Sequence, residues 1–511
     1  MRIAAFVLLA VTCLSGCQRR QEDPHTVVVI IESSPNNLDP RVGTDAQSER
    51  VGGLIFDALV RKDEHFVLTP WLAASWERPD AKTWVFHLRD GVHFQDGRAL
   101  GAEDVAWTLN SLIDGSLTSA KAGNFAAVDR AWAQDRLTLV IAMKRPDESL
   151  LFNLSDGLFG VVPKGSGKDF GEHPIGSGPF RFVSAVLDKE VVLKRTPQYW
   201  ADASTPTPNR IERLRFAVIP DAVTSALELK KGSADVAENV VTLDMVRVLE
   251  RTPGLADETG PGSPVMYLNF NCQAPPLNDR RVRQAIAFAI DRKAIVDALW
   301  LGRARLADTL LPPEHWAAAP AGMLPQYPHD AARAQALLAL AGYRADRNGV
   351  RLRLEMKTST DETTRLLAQI LQQQLRAAGI ELTLRSSEFG TFYADVTRGA
   401  FQMYALRWIG SNEDPDIFRY AFATSQFPPA GGNRGRYSNP RVDALLSGAA
   451  TNPDLQARRD DYWDVQRILA DDLPAIPLCY PNNNVVHTRR VSGIVPAGSG
   501  SFDFLTDAQV P

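Results

Sequence analysis

RLRLEM (351–356), DETTRLLAQILQQQLRAAG (361–379) and IELTL (380–384) read together as a strand, a helix and a second strand. The first alternates apolar and charged side chains, as a strand with one buried face does. The second puts Leu367, Ile370 and Leu371 on one helical face, and Gly379 stands where a left-handed residue ends the helix. Such a succession is a βαβ unit, in which the two strands run parallel. A second unit stands earlier: 213–219 is a strand, 220–231 a helix with Asp221 at its positive end, and 234–236 a short strand. Two separated units predict an α/β chain folded as two lobes.

Further elements surround them. The β-branched run 26–31 reads as a strand, and 84–88 and 137–143 as two more. Val51, Leu54, Ile55, Ala58 and Leu59 share a helical face, as do Val105, Leu109, Leu112 and Ile113. Asn278 is expected to cap a helix running to about Trp300, and 401–408 to be a strand. There is no internal repeat and no low-complexity segment.

The chain has 511 residues, 45% hydrophobic and 23% charged, which is ordinary for a globular protein with ample core. The net charge of −4 is spread with mixed sign. No basic block is present to neutralise a row of phosphates, so nucleic acid is not an expected partner. At the N-terminus, Arg2 precedes the apolar stretch 3–14, which is too short to span a bilayer but has the length of a signal-peptide core. It ends in Leu14-Ser15-Gly16-Cys17, which resembles the lipobox of bacterial lipoproteins. The expectation is a signal peptide over 1–16, lipidation at Cys17 and a polar tether over 17–23. The protein would then be lipid-anchored in the cell envelope, and periplasmic in a Gram-negative cell. Processing would leave Cys272 and Cys479, either bridged or as two buried thiols.

Signs of chemistry are few. Gly165-Ser166-Gly167-Lys168-Asp169 fails as a phosphate loop: Val162 replaces its first glycine and Asp169 its magnesium-binding hydroxyl. The eight histidines form no helical metal pair, His87 and His93 read as structural, and no Gly-x-Ser-x-Gly elbow occurs. Neither an enzyme, a cofactor nor a metal site is expected. Asp414 before Pro415 reads as a helix start, and 431–435 as a polar turn.

Several stretches resemble the peptide, dipeptide and nickel group of ABC-importer solute-binding proteins (family 5). They are Ser34-Pro35-Asn36-Asn37-Leu38-Asp39-Pro40, then Leu68-Thr69-Pro70-Trp71-Leu72-Ala73 with the run 84–94, and Gly176-Ser177-Gly178-Pro179-Phe180. Asn269-Phe270-Asn271 with 281–286, and Trp408 with Asp414-Pro415-Asp416, complete the set in the family's order. The resemblance implies a two-lobed periplasmic-binding-protein clamp with an additional inserted domain. Lobe one would be 24–45, 176–265 and 481–511, the inserted domain 46–175, and lobe two 266–480, with two strands crossing between the lobes as a hinge.

It also implies capture of a peptide or peptide-like ligand, without chemistry, by a monomer that delivers it to ABC-transporter permease subunits. The expected ligand contacts are Ser33, Ser34, Asn269, Trp408 and Ser411, with Arg365 for an acidic group. In peptide-binding members an aspartate three residues after the tryptophan takes the ligand's ammonium; here that position is Ser411. Glu413 could take over, or the ligand has no free amine there. The same fold binding an oligosaccharide, haem or metal chelate is the alternative, followed by a secreted lipoprotein hydrolase.

Overall fold

The computed structural model describes residues 24–202, 210–408 and 413–511. The expected signal peptide, Cys17 and its tether, and Ser411 lie outside the described residues.

Two large sheets dominate. The first runs in the order Leu255–Gly260, Asn483–Thr488, Val236–Glu238, Thr26–Ile31, Arg213–Val218, Glu190–Arg195, Phe180–Val186. Thr26–Ile31 lies at its centre, parallel to Arg213–Val218 and Val236–Glu238. Core clusters cover both faces, which explains why TVVVII is apolar throughout instead of alternating. The linking helix Ala222–Lys231 starts on Asp221, whose carboxylate accepts from Thr224 N, and stops at left-handed Gly232. This is lobe one.

The second sheet runs Ala304–Leu306, Ala475–Pro481, Val265–Phe270, Met403–Trp408, Leu352–Ser359, Ile380–Ser387. Leu352–Ser359 pairs in parallel along its full length with Ile380–Ser387. Helix Glu362–Ala377 joins them, burying Leu367, Leu371 and Leu375 and half-burying Ile370. This is the βαβ unit that the sequence predicts, and it forms part of lobe two.

A third body has its own core. The antiparallel sheet Ala73–Asp80, Thr83–Leu88, Thr138–Met143, Val128–Ala133 packs Trp84, Phe86 and Leu139 against Val105 and Leu109 of helix Ala102–Ile113. A hairpin of Val60–Lys62 and Leu68–Pro70 stands beside it.

Two expectations are corrected. Helix Ala46–Ile55, expected in the inserted domain, buries Val51, Leu54 and Ile55 in the lobe-one core. The long helix from Asn278 is two helices, Arg280–Ala289 and Arg292–Trp300. Asp279 caps the first, and Asp291 caps the second by accepting from Ala294 N. A second capping carboxylate in mid-run offers the backbone a new start, and the chain takes it.

The glycine turn has a steric cause. A Cβ on Gly176 would lie 1.9 Å from the Ile55 carbonyl oxygen, and Gly178 N donates to that oxygen at 2.9 Å. Only glycine lets the returning chain pass so close to the helix end. Cys272 and Cys479 are both free thiols, pushed up by burial to about 11 and about 12. Among the described residues no helix is long and apolar enough to cross a membrane.

The chain crosses between the large sheets twice. Residues 261–264 join Leu255–Gly260 to Val265–Phe270, and Asn482 alone joins Ala475–Pro481 to Asn483–Thr488. The crossings touch: a Cβ on Gly262 would lie 2.1 Å from the Pro481 carbonyl oxygen.

Candidate ligand-binding site

The three bodies meet around Glu413. Its carboxylate is buried, accepting from Lys62 Nζ at 2.8 Å and from Ser263 Oγ at 3.0 Å. Lys62 comes from the small hairpin, Ser263 from the first crossing and Glu413 from lobe two, so the cluster ties all three bodies together. Burial alone would lower the Lys62 pKa; Glu413 and Asp156 more than reverse that and keep the ammonium charged. The Glu413 carbonyl accepts from His315 Nε2 at 3.0 Å, while His315 Nδ1 accepts from Ala317 N. His315 is therefore the neutral Nε2–H tautomer, held by burial down to about 3. Phe66 stacks on its ring with centroids 5.4 Å apart, Trp316 N donates to His65 O, and Glu148 N donates to Ala450 O. Arg303 of lobe two bonds Asp257 of lobe one at 2.6 Å. The lobes are in a closed arrangement.

Two cavities flank Glu413, and Phe152 borders both. One, of about 390 Å³, lies between the inserted sheet and lobe two, beside Trp84, Arg78 and Trp316. There Asp414 accepts from Asp416 N at 2.6 Å in the turn before helix Ile417–Phe422; the N-cap is Asp416, so the helix starts two residues later than expected. Burial, reinforced by the Asp416 charge, pushes the Asp414 carboxyl up to about 7.

The other cavity, of about 300 Å³, is lined by helix Ala46–Ile55, the turn 156–160, the C-terminal residues Ser499, Ser501 and Asp503, and Glu413. It is dense in charge, with Glu49, Arg50, Asp57, Arg61, Lys62, Lys121, Asp156 and Asp503 at its wall. Asp57 is buried and accepts from Trp71 Nε1, Tyr199 OH, Trp200 Nε1 and Ser177 Oγ at 2.8–2.9 Å. Arg50 pairs with Glu238, whose carboxyl burial raises to about 7 against the pull of Arg50. Such a cavity lies at the small end of the roughly 300–1,000 Å³ of ligand pockets. Among the described residues no group of three or more His, Cys, Asp or Glu is placed to hold a metal.

The residues expected at the ligand do not line these two cavities. Ser33 is exposed, and Ser34 Oγ accepts from Asp188 N at 2.8 Å, pinning the hairpin Phe180–Val186/Glu190–Arg195. Asn269 is buried inside lobe two, its Nδ2 donating to Tyr404 OH at 2.8 Å and its Oδ1 beside Gly435. Trp408 stacks on Tyr267 with centroids 5.6 Å apart, under the Arg434 guanidinium. Arg365 is exposed on its helix. None of these five lines either cavity. The cavity residues Arg61, Lys62, Lys121, Asp156 and Asp503 were missed. The one local hint was Arg61-Lys62 directly after the apolar run 58–60; nothing local ties them to residues 350 or more positions away.

Residues 67–428 match the profile of the bacterial extracellular solute-binding proteins, family 5 Middle. A probable di/tripeptide-binding protein 5 of Pseudomonas aeruginosa is 27% identical over 533 residues, covering 99% of each chain. The glutathione-binding protein GsiB of Pectobacterium atrosepticum is 27% identical, covering 93% of each. Among solved structures, HbpA2 from Haemophilus parasuis superposes with a TM-score of 0.83 at 27% identity, covering 95% of this chain and all of that one. The profile spans well over half of the chain, and the two lobes, the inserted body and the double crossing agree with it: the chain belongs to the bacterial extracellular solute-binding proteins of family 5.

Proposed function

We propose that this protein captures a small peptide or peptide-like solute outside the cytoplasm and hands it to an ABC importer. The observation that carries the reading is the cavity of about 300 Å³ lined by the inserted domain, lobe one and Glu413 of lobe two. A solute held there touches both lobes only when they are closed, so its binding energy favours closure. Relatives that bind di- and tripeptides and glutathione support a ligand of that size. The protein performs no chemistry on its ligand and works as a monomer anchored through a lipidated Cys17. The diacylglycerol supplies the two chains that stable anchoring takes.

Native mass spectrometry of freshly purified protein tests the reading: a co-purified peptide of two or three residues is expected. A bound sugar or metal chelate would move the protein to another ligand class. Cys17→Ala should abolish lipid modification in the native host, and a mature chain starting elsewhere would exclude the anchor.

A further inference from the structure

Three basic side chains stand in line across the lobe-one sheet. Arg181 lies directly opposite Lys194, and Lys194 directly opposite Arg213. All three are exposed, and none forms an ion pair among the described residues. Like charges directly opposite one another destabilise a sheet, so the fold gains nothing from such a row. Arg215, two positions on from Arg213, has its carboxylate in Glu190 at 3.5 Å. Lys230 and Lys231 close helix Ala222–Lys231, and Arg489 follows Asn483–Thr488; all are exposed. They lie at the same end of the sheet, since Thr488 N donates to Asp235 O and Asp235 N to Val28 O. The chain also enters there: Thr26 pairs with Arg213, and Arg490 Nη1 donates to Pro24 O at 2.9 Å. The opposite end leads to lobe two, because Gly260 pairs with Asn483 and the crossings leave from both.

We propose that the basic end of lobe one, carrying Arg181, Lys194, Arg213, Lys230, Lys231 and Arg489, rests on the anionic headgroups of the membrane that holds the protein. The assignment rests on lipidation of Cys17 and goes beyond it: the lipid fixes where the chain is attached, and the charges fix which face turns to the bilayer. Residues 17–23 separate Cys17 from Pro24 and span at most about 25 Å when fully extended. So short a tether keeps this end beside the bilayer. A Lys or Arg near an anionic surface is drawn to it within about a Debye length, ~10 Å at 0.1 M salt. Exposed Glu212, and Glu228 at 3.6 Å from Lys231, offset part of the charge and leave a basic excess. With that end down, the crossings and lobe two stand away from the bilayer, and the lobes open without meeting it.

The test places the mature lipidated protein on vesicles of phosphatidylcholine alone, or of phosphatidylcholine with phosphatidylglycerol. An amine-acetylating reagent labels exposed lysines, and mass spectrometry reads each site. On the anionic vesicles Lys194, Lys230 and Lys231 should react about fivefold less than on the neutral ones, the ratio one basic side chain near such a surface carries. Lys82 of the inserted domain and Lys293 of lobe two, both exposed, should react alike on both. Salt at about 0.5 M, which screens beyond about 4 Å, should restore labelling. The triple variant Arg181→Gln, Lys194→Gln, Arg213→Gln removes mutual repulsion, so it should melt no lower than the wild type while Lys230 and Lys231 lose their protection. Equal labelling on both vesicles, protection that salt leaves in place, or a triple variant protected like the wild type would overturn the membrane-facing surface and leave the anchor standing. A mature chain without the diacylglycerol mass on Cys17 would overturn the anchor, and this inference with it.

Discussion

Lys62 and Glu413 are 351 positions apart in sequence and 2.8 Å apart in space, joining the inserted domain to lobe two through a buried ion pair. Removing one partner of a buried pair strands the other charge, at about 3–5 kcal/mol. The pair spans two bodies, so the loss falls on the closed arrangement. Lys62→Met and Glu413→Gln should each lower the melting temperature and enlarge the radius of gyration in small-angle scattering. The double variant should be milder than the sum, because it strands no charge. Single variants that scatter and melt like the wild type would remove the pair from the closure mechanism.

The double crossing gives a second expectation. Gly262→Ala would drive a methyl group to 2.1 Å from the Pro481 carbonyl oxygen, so the two crossings must spread. Overpacking of this kind costs about 1–3 kcal/mol. Since the strain sits where the chain crosses between the lobes, affinity for the native ligand should fall by tenfold or more while each lobe keeps its fold. Calorimetry and circular dichroism on the same sample check both halves of the statement.

Asp57 holds Trp71, Tyr199, Trp200 and Ser177 through four donors. Asn at this position keeps one acceptor oxygen and turns an NH₂ against donors. Buried donors left unmatched cost about 1–3 kcal/mol each. Asp57→Asn should therefore destabilise the inserted domain's seat on lobe one by about 3 kcal/mol or more. The first transition in urea should move to lower concentration, and an unmoved midpoint would contradict the role.

Asp414 and His315 pull the pH dependence in opposite directions. Asp414 is raised to about 7 in the fold, against about 3.9 unfolded. Its contribution is fully present below pH of about 3.9 and is lost as pH rises through about 7. His315 is lowered to about 3, against about 6.5 unfolded; its contribution is present above that value and is lost as pH falls through about 3. The two largely mask each other between pH of about 4 and 6.5. Asp414→Asn keeps the acceptor for Asp416 N, so it should hold its stability better than the wild type as pH rises through that window. His315→Gln should hold its own better as pH falls. Parallel wild-type and variant melting curves across the window would exclude either titration.

The sequence by itself determined the local elements and the family. TVVVII at 26–31, the βαβ run 351–384 and the glycine turn at 176–178 were legible because periodicity, capping and glycine act within a few residues. Where a local rule offered two outcomes, packing chose. The 280–300 stretch broke at Asp291, and helix Ala46–Ile55 joined lobe one because its apolar stripe fits that core. The cavity was decided by tertiary structure alone. Ser34, Asn269, Trp408 and Arg365 sit in or beside the expected motifs, yet the closed lobes put the cavity against Arg61, Lys62, Glu413 and Asp503. Those four come from three segments, around 61–62, 413 and 503. Which charges neutralise one another, and which are left for a ligand, depends on distances of a few ångströms that no pattern along the chain encodes.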